Sequence, residues 1–205
     1  VTWAPDYCTV AEVKSYLRID DTDDDVLLGL WVTAASRAVD KHCGRQFGQV
    51  ASTETREYRP DRSDHHHDHY RQWWPYWTHY LGAHVYQIDD LMDVDDLTVI
   101  DADANVITDY ELGPVNAPQK GRPYERLITH HRGPLTLDGL WGWPAVPAAV
   151  KVATMLQAAR LAARRDSPFG IAGSPSDGSE LRLLATLDPD LKTSLSGFRR
   201  DWWAA

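Results

Sequence analysis

Four histidines and two aspartates crowd residues 64–69 of the stretch "SDHHHDHYRQWWPYW", residues 63–77, and three tryptophans follow. In an extended strand His65, His67 and His69 point to one side, and three imidazoles can hold zinc. On a helix His65 and His69 pair at i, i+4, with Asp64 and Asp68 as partners for the ring N–H groups. Such a centre would make the chain a metal-dependent hydrolase. The surroundings favour a different reading. The flanks "PDRSD" and "YRQWWPYW" are turn-rich, whereas metal ligands usually come from distant rigid elements. There is no H-E-x-x-H pattern and no nearby glutamate to act as general base. The stretch reads as a solvated loop whose histidines titrate near neutrality, and no metal or other cofactor is expected.

Other candidate chemistry is weaker. Asp21, Asp23 and Asp25 have the 1, 3, 5 spacing of a calcium loop. Val26 then stands where that loop needs glycine, and Val32 where it needs glutamate. The run "DDTDDDV" fits a helix start, where the macrodipole favours negative charge. No G-x-S-x-G, P-loop or dinucleotide fingerprint occurs, and "GSPSDG" at 173–178 reads as linker. Cys8 and Cys43 are the only cysteines. They suit neither a disulfide scaffold nor a zinc ribbon and read as buried thiols. The reading is of a protein that is not an enzyme.

The elements that would carry these residues fall into three stretches. The 205 residues, 43% hydrophobic and 25% charged, can bury a sizeable core. Residues 9–19 read as a short helix, with Thr9 and Glu12 forming a capping box. Residues 20–44 read as an amphipathic helix of about five turns that ends at Gly44. Its apolar face is expected to be Val26, Leu27, Leu30, Trp31, Ala34, Ala35, Ala38 and Val39. Residues 49–143 carry short β-forming runs between turn formers. "LTVIDADANVITDYEL", residues 97–112, reads as a hairpin, and residues 113–123 as a long exposed loop. Helix returns at 143–165, Ala-rich, with Pro144 or Pro147 in its first turn and Lys151, Arg160, Arg164 and Arg165 as its charges. A linker covers 166–179. A last helix starts at Asp188 and carries Leu191, Leu195 and Phe198 on one stripe.

The expected fold is therefore α+β: a small helical bundle from the two chain ends, 1–48 and 144–205, with a β-rich inserted lobe at 49–143. The net charge of −9 argues against wrapping DNA, since phosphate contacts demand Lys and Arg. It is compatible with DNA that merely passes by. No apolar run approaches the ~18–20 residues of a membrane span, and the N-terminus lacks a signal pattern. Nine tryptophans are many for a chain of this length, and Trp73, Trp74, Trp77, Trp202 and Trp203 point to contact surfaces as well as core.

"YCTVAEVKSYLRIDDTDDDVLLGLWVTAASRAVDKHCGRQF", residues 7–47, resembles the opening of the head-tail connector (adaptor) proteins of long-tailed bacteriophages. The likeness rests on Thr9, Glu12, Val13, Lys14, Tyr16, Leu17, Arg18, Ile19 and Asp20, then Lys41, Gly44, Arg45 and Phe47. Residues 139–173 and the stretch "DADANVITDYEL" are similar to versions from phages of actinobacterial hosts. Residues 60–80 depart from the pattern. The resemblance implies a virion structural protein at the head-tail junction, assembled in the host cytoplasm. It implies about twelve copies in a ring that docks on the portal protein, extends the DNA channel and receives the next neck or tail-completion protein. It places Leu195, Phe198, Arg199, Arg200, Trp202 and Trp203 at the portal. A closed ring needs two different complementary faces. Asp23, Asp24 and Asp25 on the acidic helix, and Lys151, Arg160 and Arg164 on the basic one, are the expected subunit interface, pairing within or between subunits. Another neck component, a stopper or tail-completion protein, is the neighbouring alternative.

Overall fold

A computed structural model of the chain describes residues 3–60, 83–165, 171–172, 181–182 and 188–200. The His/Trp stretch 63–77, with the candidate ligands His65, His67 and His69, lies outside the described residues, as do Trp202 and Trp203. The protein is α+β and divides into two compact units, Val1–Gly48 with Ala145–Ala204, and Gln49–Pro144.

The first unit is helical. Helix α1 spans Val10–Leu17. The Thr9 hydroxyl accepts from the Glu12 N–H at 3.2 Å while the Glu12 carboxylate accepts from the Thr9 N–H at 2.8 Å, so both donors at the helix start are satisfied. Helix α2 spans Asp25–Cys43 and stops at Gly44, whose φ of 67° is the left-handed conformation that glycine adopts without steric cost. Helix α3 spans Ala148–Arg165. The Pro147 carbonyl accepts from the Lys151 N–H at 3.0 Å, which places the proline just ahead of the helix. Helix α4 is Pro189–Leu195, capped by Asp188 and continued by a 3₁₀ turn at Ser196–Phe198.

The core of this unit gathers Cys8, Val13, Leu28, Val32, Ala35 and Ala158, with Trp31, Met155 and Leu161 at its margin. The buried face of α2 is Leu28, Val32, Ala35, Ser36, Val39 and Cys43. This corrects the expected face, because Val26, Leu27 and Leu30 are exposed. Apolar residues occupy nearly every side of α2, so apolarity alone does not pick the buried one. Ser36 does: its hydroxyl donates to the Val32 carbonyl at 2.9 Å and accepts from the Tyr7 N–H at 3.1 Å.

The second unit is built from two three-stranded antiparallel sheets. Its strands are β1 (Glu54–Tyr58), β2 (His84–Leu91), β3 (Thr98–Ile100), β4 (Tyr110–Gly113), β5 (Tyr124–Thr129) and β6 (Leu135–Gly139). The orders are β1-β6-β3 and β2-β5-β4. In β6, Leu135, Leu137 and Gly139 are buried while Thr136 and Asp138 are half-buried, the period of two that a sheet imposes. The expected hairpin at 97–112 shrinks to one bridge between Ile100 and Val106 around a turn held by Asp101. Its second strand, β4, pairs with β5 in the other sheet. The expected loop at 113–123 contains a 3₁₀ turn at Pro118–Lys120, and Ala117 is buried. Trp141 anchors this unit. Its ring is fully buried, its Nε1–H donates to the Glu54 carbonyl at 2.7 Å, and the Arg56 guanidinium lies 4.9 Å from its ring centre.

Candidate functional site

The helical unit holds most of the residues singled out above, and its polar chemistry is knotted at one end of α2. Tyr7 donates its hydroxyl proton to Asp40, and the same oxygen accepts from the Phe47 N–H at 2.9 Å. Arg37 braces Asp40 at 2.8 Å and donates to the Pro5 carbonyl at 2.6 Å. Burial, then the hydrogen bond to Asp40, pushes the Tyr7 phenol far above its ordinary range. Burial also raises the Asp40 carboxyl, against the bond from Tyr7 and the charge of Arg37. Phe47, fully buried, meets Tyr7 edge-on at 5.6 Å and Phe198 edge-on at 5.9 Å. The Arg200 N–H donates to the Cys43 carbonyl at 2.7 Å. The C-terminal segment is thus fastened to the end of α2 by an aromatic stack and a backbone bond.

An open cleft of about 610 Å³ is lined by Tyr7, Cys8, Glu12, Val32 and Lys151 among others. It offers little to a reaction. Burial raises the Cys8 thiol to about 11, and Cys43 likewise to about 11, so both stay protonated at neutral pH. Glu12 is neutralised by Lys151 at 2.7 Å.

Among the expected interface residues, most acids and bases pair inside the chain. Asp25 meets Lys14 at 2.7 Å, Asp24 meets Arg165 at 2.5 Å, Lys151 meets Glu12, and Arg160 pairs with the capping Asp188. Asp23 is exposed, its N–H donating to Asp21, and Arg164 is half-buried. Of the residues expected at the portal, Leu195 is fully buried and Phe198 half-buried, so these two secure the segment. Arg199 is exposed and Arg200 half-buried.

The order of these parts along the first quarter of the chain is a capped α1, an acidic turn, α2, a left-handed glycine and a buried Phe47. Residues 7–68 match the family model of phage gp6-like head-tail connector proteins. The match supports a head-tail connector role, a structural rather than catalytic one, and with it a place in the virion and association with other head and tail proteins. Comparison with curated proteins gives no match. Among the described residues no helix is long and apolar enough to cross a membrane.

The buried knot joins a residue just ahead of α1 to one just after α2. Tyr7 and Phe47 are far apart in sequence and meet through one hydroxyl. Their role was not legible beforehand, because neither lies on a helix face whose periodicity would flag it. Glu12 carries a pH-dependent consequence. The hydrogen bond from Lys151, then that from the Thr9 N–H, lowers its carboxyl below the ordinary value of 4.5. A carboxylate with a depressed folded value stabilises the fold above its unfolded value and loses that contribution as pH falls through the folded one. Glu12→Gln is therefore expected to melt at a lower temperature than the parent at pH 7. The gap should close as the pH is taken progressively below 4.5, which thermal melts at stepped pH would measure.

Proposed function

We propose that this protein is the head-to-tail connector of a tailed phage virion, a ring-forming subunit that docks on the portal, extends the DNA channel and receives the next neck or tail protein. The observation that carries the reading is the match of residues 7–68 to the connector family, laid over a helical unit with exposed apolar side chains on α2. A surface exposing Val26 and Leu30 is suited to a partner rather than to water alone.

In this reading the portal contact is made by the segment after α4. Leu195 and Phe198 hold that segment to the bundle, and Arg199, Arg200, Trp202 and Trp203 reach the partner. Tryptophan and arginine are the residue types that dominate the binding energy of such contacts. Asp23 and Arg164 are the members of the expected subunit interface that remain candidates for pairing across copies. Asp24, Asp25, Lys151 and Arg160 act through the pairs they make within the subunit. The net charge of −9 keeps passing DNA from sticking.

Infection with a phage unable to make this chain tests the role. The expected result is filled heads and free tails that do not join. Normal numbers of joined, infectious particles would contradict it.

A further inference from the structure

Positive charge from three separate elements gathers where α2 ends. Lys41 stands in the last turn of α2, Lys192 in the last turn of α4, and Arg199 just after the 3₁₀ turn, and all three are exposed. They surround His42. Its ring bonds the Lys192 backbone, and the charges of Arg199 and Lys192 both act on it. The charge of Arg199 also reaches Cys43. The backbone that carries Arg199 is fixed on both sides. Phe198 meets Phe47 edge-on, and the Arg200 N–H donates to the Cys43 carbonyl at 2.7 Å. Ion pairing sets the three cations apart. In the same unit Lys14, Arg37, Lys151, Arg160 and Arg165 each meet an acid of their own chain. Among the described residues, Lys41, Lys192 and Arg199 enter no such pair.

The last turn of a helix favours a cation, which accounts for Lys41 alone and for Lys192 alone. It does not account for both meeting Arg199 around one histidine. Crowded like charges repel, and a chain with a net charge of −9 has acids to spare for neutralising them. We infer that this end of the helical unit is a docking surface for an acidic face on a partner protein, with Lys41, Lys192 and Arg199 as its contact residues. Cations held on a fixed backbone lose little freedom when such a face arrives. Duplex DNA fits less well. A duplex runs on past so small a patch, and the chain it would meet is acidic overall. A carboxylate cluster on a folded protein can match the patch in size. At the head-tail junction that protein is the portal, a step that rests on the connector reading above. It adds Lys41 and Lys192 to the contact and states the charge of the surface opposite.

Two measurements on the full chain test the inference. In the first, a deca-glutamate peptide is titrated into the purified protein at low salt and followed by NMR. The His42 ring and the amides of Lys192 and Arg199 are expected to shift, and binding should fade as salt is raised. Lys192→Glu and Arg199→Glu should each weaken binding at least about fivefold, whereas Lys120→Glu, at an exposed lysine of the other unit, should not. Both reversed side chains are exposed, so helix content should stay unchanged. No binding, or shifts that avoid these residues, would overturn the inference. A DNA duplex of equal charge that binds the same residues as tightly would overturn the protein partner in favour of nucleic acid. In the second measurement the chain binds purified portal, and the same two reversals should weaken that contact by a similar factor. A portal that binds wild type and both variants alike overturns the inference and leaves the connector reading standing. A portal that ignores the wild-type chain while the peptide still binds overturns the connector reading and supports the patch.

Discussion

Replacing Phe47 with alanine is expected to destabilise the helical unit by about 3–5 kcal/mol, the usual cost of removing a fully buried phenylalanine. The side chain is completely buried and touches two aromatic neighbours, Tyr7 and Phe198, each edge-on. Its removal empties a site walled by the stiff end of α2 and by the Tyr7 phenol, which is itself fixed to Asp40. Such walls collapse poorly, which puts the loss toward the upper part of the range. A second effect should accompany it. The 3₁₀ turn at Ser196–Phe198 loses its aromatic seat, which loosens the segment that carries the Arg200–Cys43 backbone bond. Hydrogen exchange at Arg200 should therefore speed up more than exchange in the middle of α2. Phe47→Leu, which keeps most of the volume, should recover much of the loss. Urea unfolding combined with exchange measures both effects. A loss under about 1 kcal/mol would mean that the site repacks and that Phe47 is not the joint described.

The second large effect is expected in the β-rich unit. Trp141→Ala should cost about 3–5 kcal/mol there. Trp141 supplies three things at once: a fully buried indole, an N–H that satisfies the Glu54 carbonyl, and a ring face for the Arg56 guanidinium. Tyr58 lies against it as well, with ring centres 5.5 Å apart. Trp141→Phe separates these contributions. It keeps one aromatic ring but removes the donor and the volume of the second ring, so it should cost about 1–3 kcal/mol, less than Trp141→Ala. Because Glu54 opens β1, exchange at that strand should respond to both variants. Since the chain holds two compact units, each loss should be read from a probe inside the unit concerned rather than from one global transition.

The features legible in the sequence were those set by near neighbours. Thr9 and Glu12 form the capping box that their spacing announces, Gly44 takes the left-handed turn that ends α2, and Asp188 caps the last helix. Each is decided within three or four residues, so local chemistry suffices. The α+β class followed from helical periods at the two ends and alternating runs between them.

What depends on distant partners was not legible. The run at 106–112 is equally suited to pairing with the strand just before it or with one further on. The register of β5 with β4, Tyr110 opposite Thr129, settles that choice through contacts a hairpin motif cannot encode. The inner face of α2 differs from the expected one for a related reason. Val26 and Leu30 are as apolar as Leu28 and Val32, and only the polar Ser36, bonded to the Tyr7 backbone, marks which side the rest of the chain lies against. The candidate site divides in the same way. The charges at 23–25 and 151–165 were visible in the sequence, but their pairing with Lys14, Glu12 and Asp188 inside the subunit depended on how α1 and α4 pack.

The central claim is that the helical unit sits at the junction between a phage head and its tail. An image of the assembled particle's neck, at a resolution that separates helices, tests it most directly. The account predicts a ring of copies against the portal, with α1, α2 and α3 fitting each repeat and the segment after α4 reaching the portal surface. Density for this chain found elsewhere in the particle, or a neck ring that these three helices do not fit, would contradict it.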